Sequence, residues 1–207
     1  MWPVTSATPA GRRRMRPADR AADLRRVAEA TFLDVGFHGA SMNEIARRAG
    51  VTRAILYRHY ASKDELAAAC LAASRRRLQE MVRDDTGVPE PLEAIHIAAR
   101  RIVGFIGEHS RLFLIFLADD TFSGSKARAE AEAIRDDLER AAARALMRAA
   151  PAADPALTEL IARGLVGAGS RIAEGLDWAS TTPEELDRLV DISIDVMWNG
   201  LAGLTSR

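Results

Sequence analysis

The residues best suited to bond-making in this 207-residue chain are few, and they do not assemble into a reacting set. Glu93-x-x-His96 has the spacing of the carboxylate–histidine motif that helical di-iron proteins use. Such a centre needs a second copy and glutamates from two further helices, and no second Glu-x-x-His exists. His96 also falls on the apolar stripe of Leu92, Ile95 and Ala99, so a core or boundary histidine is expected. The single cysteine, Cys70, excludes an internal disulfide framework and any multi-cysteine zinc site. With no Gly-rich phosphate loop and no nucleophile elbow, the sequence predicts no enzyme, no metal and no cofactor.

A different chemistry is concentrated between residues 41 and 63. Recognition of a nucleic acid needs cations, hydroxyls and helix N-termini gathered on one exposed surface. Ser41 followed by Glu44 reads as a capping box, in which the serine takes a backbone N–H and the glutamate reaches back to the cap. A helix therefore starts near Met42 and ends at Gly50, and Val51-Thr52 leads at once into Arg53-Ala54-Ile55-Leu56-Tyr57-Arg58-His59-Tyr60. Ile45, Ala46, Ala49, Val51 and Leu56 can form the small core between the two helices. That leaves Arg53, Ala54, Tyr57 and Arg58 facing away from it, the arrangement of a helix-turn-helix that sets its second helix in a major groove. Tyr60, by its helical phase, reads as a core residue with a polar tip. Arg47 and Arg48 suit either a solvated face or phosphate contact, and the Arg12–Arg16 run either a loose tail or a minor-groove arm.

Charge supports this division. The formal net charge is zero, yet residues 1–80 hold 15 Arg/Lys against 8 Asp/Glu, a balance of +7, and the remainder holds 14 against 21, a balance of −7. The two parts should prefer different partners. No apolar run follows the N-terminal arginines as a secretory signal requires, and no segment is long and apolar enough to span a bilayer. A cytoplasmic protein without a membrane partner is expected.

The elements that must position these residues are helical throughout, because apolar residues recur at helical spacing and never alternate. Residues 1–18 read as a disordered basic arm. Leu24, Val27, Ala28, Phe32, Leu33 and Val35 mark a first helix closed by Gly36. Ser62 to Glu65 is a second capping box, opening a long helix to about Asp84. Beyond Pro89 and Pro91 come a helix through Ile106, a short apolar one from Leu112 to Leu117, and a charge-laced one from Lys126 to Ala149. Two more span Ala156 to Ala179 and Pro183 to Leu204, giving about nine in an all-α fold.

Residues 24–66 resemble the DNA-binding domain of the TetR family, above all in the run AGVTRAILYRHYASKDEL preceded by ASMNEIA. The resemblance implies a three-helix DNA-binding domain over 19–66 and a larger helical bundle for effector binding and dimerisation over 67–207. It implies that Thr52, Arg53, Ala54 and Ile55 begin the recognition helix, that Tyr57 and His59 touch the DNA backbone or a base edge, and that Lys63 pairs with a phosphate. Ser41 and Met42 would offer backbone N–H groups to another phosphate. Arg53 is the expected sequence reader, since arginine bonds guanine O6 and N7 bidentately. Ile55 departs from the small hydroxyl residue common at its position, which exchanges a polar contact for an apolar one.

The resemblance also implies a homodimer on a palindromic operator, formed through the last two helices. Those helices are rich in small residues, and Gly164, Ala168, Trp178, Ile194, Met197, Trp198 and Leu201 are the interface candidates. Arg101, Phe105, Phe113 and Phe116 lie close in sequence and combine apolar rings with a cation, as a pocket for an unidentified small-molecule effector would. The function so read is a repressor that such an effector releases. The alternatives are a regulator without a small-molecule ligand, or an activator.

Overall fold

The computed structural model describes residues 17–83, 91–107 and 111–205. The Arg12–Arg16 run, His109, and the side chains of Met197, Trp198 and Leu201 lie outside the described residues. Among the described residues there are nine α-helices and no strand: α1 Pro17–Gly39, α2 Met42–Arg48, α3 Arg53–His59, α4 Lys63–Arg83, α5 Pro91–Phe105, α6 Arg111–Ala118, α7 Lys126–Ala149, α8 Pro155–Gly175 and α9 Pro183–Thr205. A 3-10 turn, Asp120–Phe122, follows α6.

Leu24, Ala28 and Phe32 recur every four residues along α1 and are fully buried, each large side chain contributing about 1.5–3 kcal/mol by leaving water. Gly36 breaks the helix at φ 73, a backbone state that strains any residue bearing a Cβ. The break turns Phe37 back into the core. At the other tight turn, Val51 N–H bonds Ala46 O at 3.0 Å and Gly50 N–H bonds Arg47 O at 3.1 Å. With Gly50 at φ 63, these two bonds form a Schellman stop that fixes the angle between α2 and α3.

The core is not divided where the sequence suggests two domains. Leu66, Ala67, Cys70, Leu71 and Leu78 of α4 belong to one apolar cluster that runs from Leu24 to Ala173. Helix α4 packs on α1 and α7, α7 on α8, and α5 on α9. A smaller cluster of Ile95, Ala143, Leu146 and Ala162 fills the far end. Helix α8 stops at Gly175, short of the Ala179 expected from sequence, because Leu176 is extended and Asp177 folds a turn. Its carboxylate accepts Ala179 N–H at 3.1 Å and the Ser180 hydroxyl at 2.7 Å.

Candidate nucleic-acid interface

Helix α3 is held by one fully buried side chain, Leu56, against Ile45 and Ala46 of α2. Thr52 caps it, its hydroxyl oxygen accepting Ile55 N–H at 3.4 Å, a role in addition to the DNA contact expected of it. Thr52, Arg53, Ala54, Tyr57 and Arg58 are all exposed, while Ile55 and His59 are half-buried. Arg53 and Tyr57 act together: the guanidinium carbon lies 5.0 Å from the ring centroid and Nη2 donates to the Tyr57 hydroxyl at 3.5 Å. This pairing presents a cation and a phenol side by side. Tyr60 is buried, its hydroxyl donating to Ala21 O at 3.4 Å and accepting from Arg25 Nη1 at 3.5 Å.

At the start of α2, Ser41 is exposed and its oxygen accepts Glu44 N–H at 3.2 Å. The first N–H groups of the helix have no carbonyl within it, while the Met42 side chain is buried. The Glu44 carboxylate does not return to the cap as expected but turns outward, accepting Arg47 Nε at 2.9 Å and Arg48 Nε at 2.7 Å. These two guanidinium bonds hold its pKa down to about 2. Arg48 also reaches Asp34 of α1 at 2.8 Å. Both arginines are thus paired, and Arg48 braces α2 against α1.

Lys63 takes a position that the sequence does not foretell. Its ammonium donates to Phe37 O at 2.7 Å and Ala40 O at 2.9 Å and rests 4.3 Å from the Phe37 ring centroid. Burial holds its pKa below the usual lysine value. Only one N–H of its three is left for any outside acceptor. The expected phosphate partner is here a tie across the α1–α2 turn.

The geometry, a capped second helix with an exposed cationic face set by a Schellman turn, is matched by comparison with known proteins. Residues 24–70 match the family model for bacterial regulatory proteins, tetR family. A TetR-like transcriptional regulator from Rhodococcus sp. RHA1 superposes with a TM-score of 0.71 and 30% identity, covering 92% of this chain and 100% of that one. The chain belongs to the TetR family. It is also 27% identical over 192 residues to the HTH-type transcriptional activator FasR of Mycolicibacterium smegmatis, 89% of this chain and 84% of that protein. A TetR-family regulator from Streptomyces coelicolor shares the fold at a TM-score of 0.72 and 21% identity, over 92% of this chain and 85% of that one. As a TetR-family protein the chain is a DNA-binding transcriptional regulator; its homologues regulate transcription and are not enzymes. No helix among the described residues is long and apolar enough to cross a membrane.

Within this TetR-family chain, the four residues expected to line an effector pocket do not line either of the two clefts described below. Phe113 and Phe116 are fully buried in the core, Phe105 packs against it, and Arg101 is exposed. Phe116 instead joins a ring cluster with Phe37 and Phe122, at centroid distances of 5.0 and 4.5 Å. Two clefts open elsewhere: one of 280 Å³ beside Gly124 and Arg128, and one of 430 Å³ between α7 and α8 with Arg140, Arg144 and Arg163 at its edge.

The dimer candidates divide. Gly164 and Ala168 are exposed on α8. Trp178 sits in the turn after α8, donates from Nε1 to Ala173 O at 3.0 Å, and lays its ring so close to Gly107 that a Cβ there would come within 2.2 Å. Ile194 packs into the smaller cluster. Trp178 and Ile194 are therefore half-buried against their own chain. Among the described residues of the last two helices, the exposed large apolar side chains are Leu157, Leu160 and Ile172 on α8, and Leu189, Ile192 and Val196 on α9. Leu157 and Leu160 are three residues apart, and Leu189, Ile192 and Val196 three and four apart, a spacing that is visible in the sequence. His96 lies between α5 and α9, with Nδ1 3.2 Å from Asp191 and Nε2 3.2 Å from Asp195; Arg100 Nε bonds the same Asp191 at 2.7 Å.

Proposed function

We propose that this chain is a repressor that binds a palindromic operator as a homodimer, through the N-terminal helices up to about residue 66, and that a small molecule entering the α5–α8 part releases it. The observation that carries the DNA-binding half is α3, which buries a single large side chain and exposes Arg53, Ala54, Tyr57 and Arg58. Arg53 would read a guanine, Tyr57, Arg58 and His59 would meet backbone or base edges, and the N-termini of α2 and α3, at Ser41-Met42 and Thr52, would take phosphates.

What supports a dimer is the exposed apolar side chains on α8 and α9, where Leu160 is 64% exposed and Val196 67%. Large apolar side chains left in solvent near one another are typical of association sites. A helix-turn-helix dimer reads two half-sites related by a two-fold axis, and a C2 interface is self-complementary. The effector would enter the core beside Phe105 and Phe113, which pack among its apolar side chains; such a pocket can be a minor conformation that a ligand makes dominant. A second reading, activation, is favoured by the similarity to FasR, an activator.

Selection of genomic fragments bound by the purified protein tests the first half of the proposal, and should return palindromes whose half-sites lie one helical turn apart. Placing that sequence upstream of a reporter separates the two readings: repression supports the first, stimulation the second. A thermal-shift screen against metabolites tests the effector, because a ligand that binds only the folded state raises its melting temperature.

A further inference from the structure

Two adjacent residues at the start of α4 point in opposite directions and grip different parts of the molecule. Lys63 holds Phe37 O and Ala40 O in the turn before α2, at 2.7 and 2.9 Å. Asp64 holds the first turn of α7, its two carboxylate oxygens accepting Lys126 N–H at 3.0 Å and Ala127 N–H at 3.1 Å. An acidic side chain on the orphan N–H groups of another helix is stabilised both by hydrogen bonds and by the helix dipole.

The grip closes into a ring. In the first turn of α7, Arg128 Nη1 donates to Phe116 O at 2.7 Å and Leu117 O at 3.1 Å, at the end of α6. The Phe116 ring meets the Phe37 ring edge to face, 5.0 Å between centroids, and the Phe37 carbonyl is the one Lys63 holds. The path Lys63, Phe37, Phe116, Arg128, α7, Asp64 returns to the neighbouring residue without passing through solvent-exposed loop.

We propose that Lys63 and Asp64 are positioning residues for DNA binding: together they transmit the placement of α7 and α6 to the α1–α2 turn, and so set where α3 stands. The inference rests on α3 being the DNA-contacting helix. It assigns the half-buried Lys63 to a contact within the protein, and it gives Asp64 a task that its chemistry toward DNA would not suggest. Any rearrangement that shifts α7 by a fraction of a turn pulls on Asp64 and, one peptide bond away, on the carbonyls that orient α2.

The test compares two caps of the same helix. Ser125 also caps α7, accepting Arg128 N–H at 3.0 Å, but touches nothing in α4 through that bond. Binding to an operator duplex, selected with the full-length protein, is measured for Asp64→Ala, Ser125→Ala, Asp64→Asn and Arg53→Ala, at a temperature where each is folded by circular dichroism. The expected result is that D64A weakens binding about five- to tenfold, that D64N, which keeps one of the two acceptors, recovers it in part, and that S125A stays within about twofold of the parent. Equal losses for D64A and S125A would reduce Asp64 to a structural cap and overturn the proposal.

Lys63→Met, which keeps the aliphatic stem, adds a readout that stability cannot move. Affinity should fall while the slope of log K against log salt concentration stays that of the parent. A slope shallower by about one would make Lys63 a phosphate contact instead, and the first arm of the proposal would be lost. Arg53→Ala keeps the two levels apart: if it binds as tightly as the parent, the reading of α3 fails; if it weakens binding while D64A and K63M do not, only the coupling fails.

Discussion

Helix α3 and the pair α8–α9 both leave large side chains in solvent, and the contrast lies in their chemistry. On α3 the exposed set is Arg53, Tyr57 and Arg58 around a small Ala54, a surface that hydrates well and suits a polyanion. On α8 and α9 it is leucine, isoleucine and valine at helical spacing, which water disfavours and a second apolar surface relieves. One surface suits a charged partner at no cost to solubility; the other gains free energy when it is covered. The largest effects of substitution should therefore fall on the apolar pair.

Val196→Asp is the sharpest way to break that comparison. In a dimer whose interface runs over Leu160, Ile192 and Val196, the two-fold axis places an unpaired carboxylate on both sides. An uncompensated buried charge costs about 3–5 kcal/mol, so the dimer should weaken by roughly 10²–10⁴-fold, read by sedimentation. Operator affinity should fall with it. A parent-like dimer in V196D would move the interface away from α9. Arg53→Ala should do the reverse, leaving sedimentation unchanged while costing about 1–3 kcal/mol of discrimination at one base pair, measured against operator variants at a fixed salt concentration.

How much of this was legible in the sequence follows the range of the interactions. The ends of α2, the Gly50 turn, α3 and α7 lie within a residue or two of where capping residues and glycines put them, because caps and turns are settled by neighbours along the chain. Burial of Leu56 and exposure of Arg53 follow from the same local phase. Lys63 and Trp178 were not legible. The Lys63 partners are 26 and 23 residues away, and Trp178 finds a bare Gly107 across the bundle. Composition likewise directs attention to phenylalanines as pocket residues, and Phe113 and Phe116 are among the largest fully buried side chains of the core. Nothing in local spacing tells a lining ring from a filling one.

A third test concerns what holds the N-terminal helices onto the rest. Asp137 of α7 receives Arg75 Nε at 2.7 Å and Gln79 Nε2 at 2.8 Å from α4, and pairs with Arg140 as well. Burial pushes its pKa up, but these bonds outweigh it and hold the carboxyl at about 2, below the usual 3.8. A depressed pKa in the folded state means stability that is complete above pH 4 or so and is lost as pH falls toward 2. The contribution is about 2 kcal/mol. Asp137→Asn should lower denaturant stability at pH 7 by that order, and flatten its decline between about pH 4 and 2, as measured by urea unfolding across the range.

The smallest effect should come from Glu44, although its carboxylate is held as low as that of Asp137. Its two arginine partners are on its own helix, at i+3 and i+4, and the group stands in solvent, where screening removes most of the gain. The sign is the same: the pairing is complete above about pH 4.5 and is lost on the way down to about 2. Glu44→Gln should barely change unfolding at neutral pH. It should instead free Arg47, which has no partner outside α2 in its ion pairing, to meet a phosphate, so that operator binding tightens and its salt dependence steepens. If E44Q destabilised the fold as much as D137N does, the α1–α2 brace through Arg48 would depend on Glu44 to orient the guanidinium, and the N-terminal helices would be held by their ion pairs as much as by Leu24, Phe32 and Ile45.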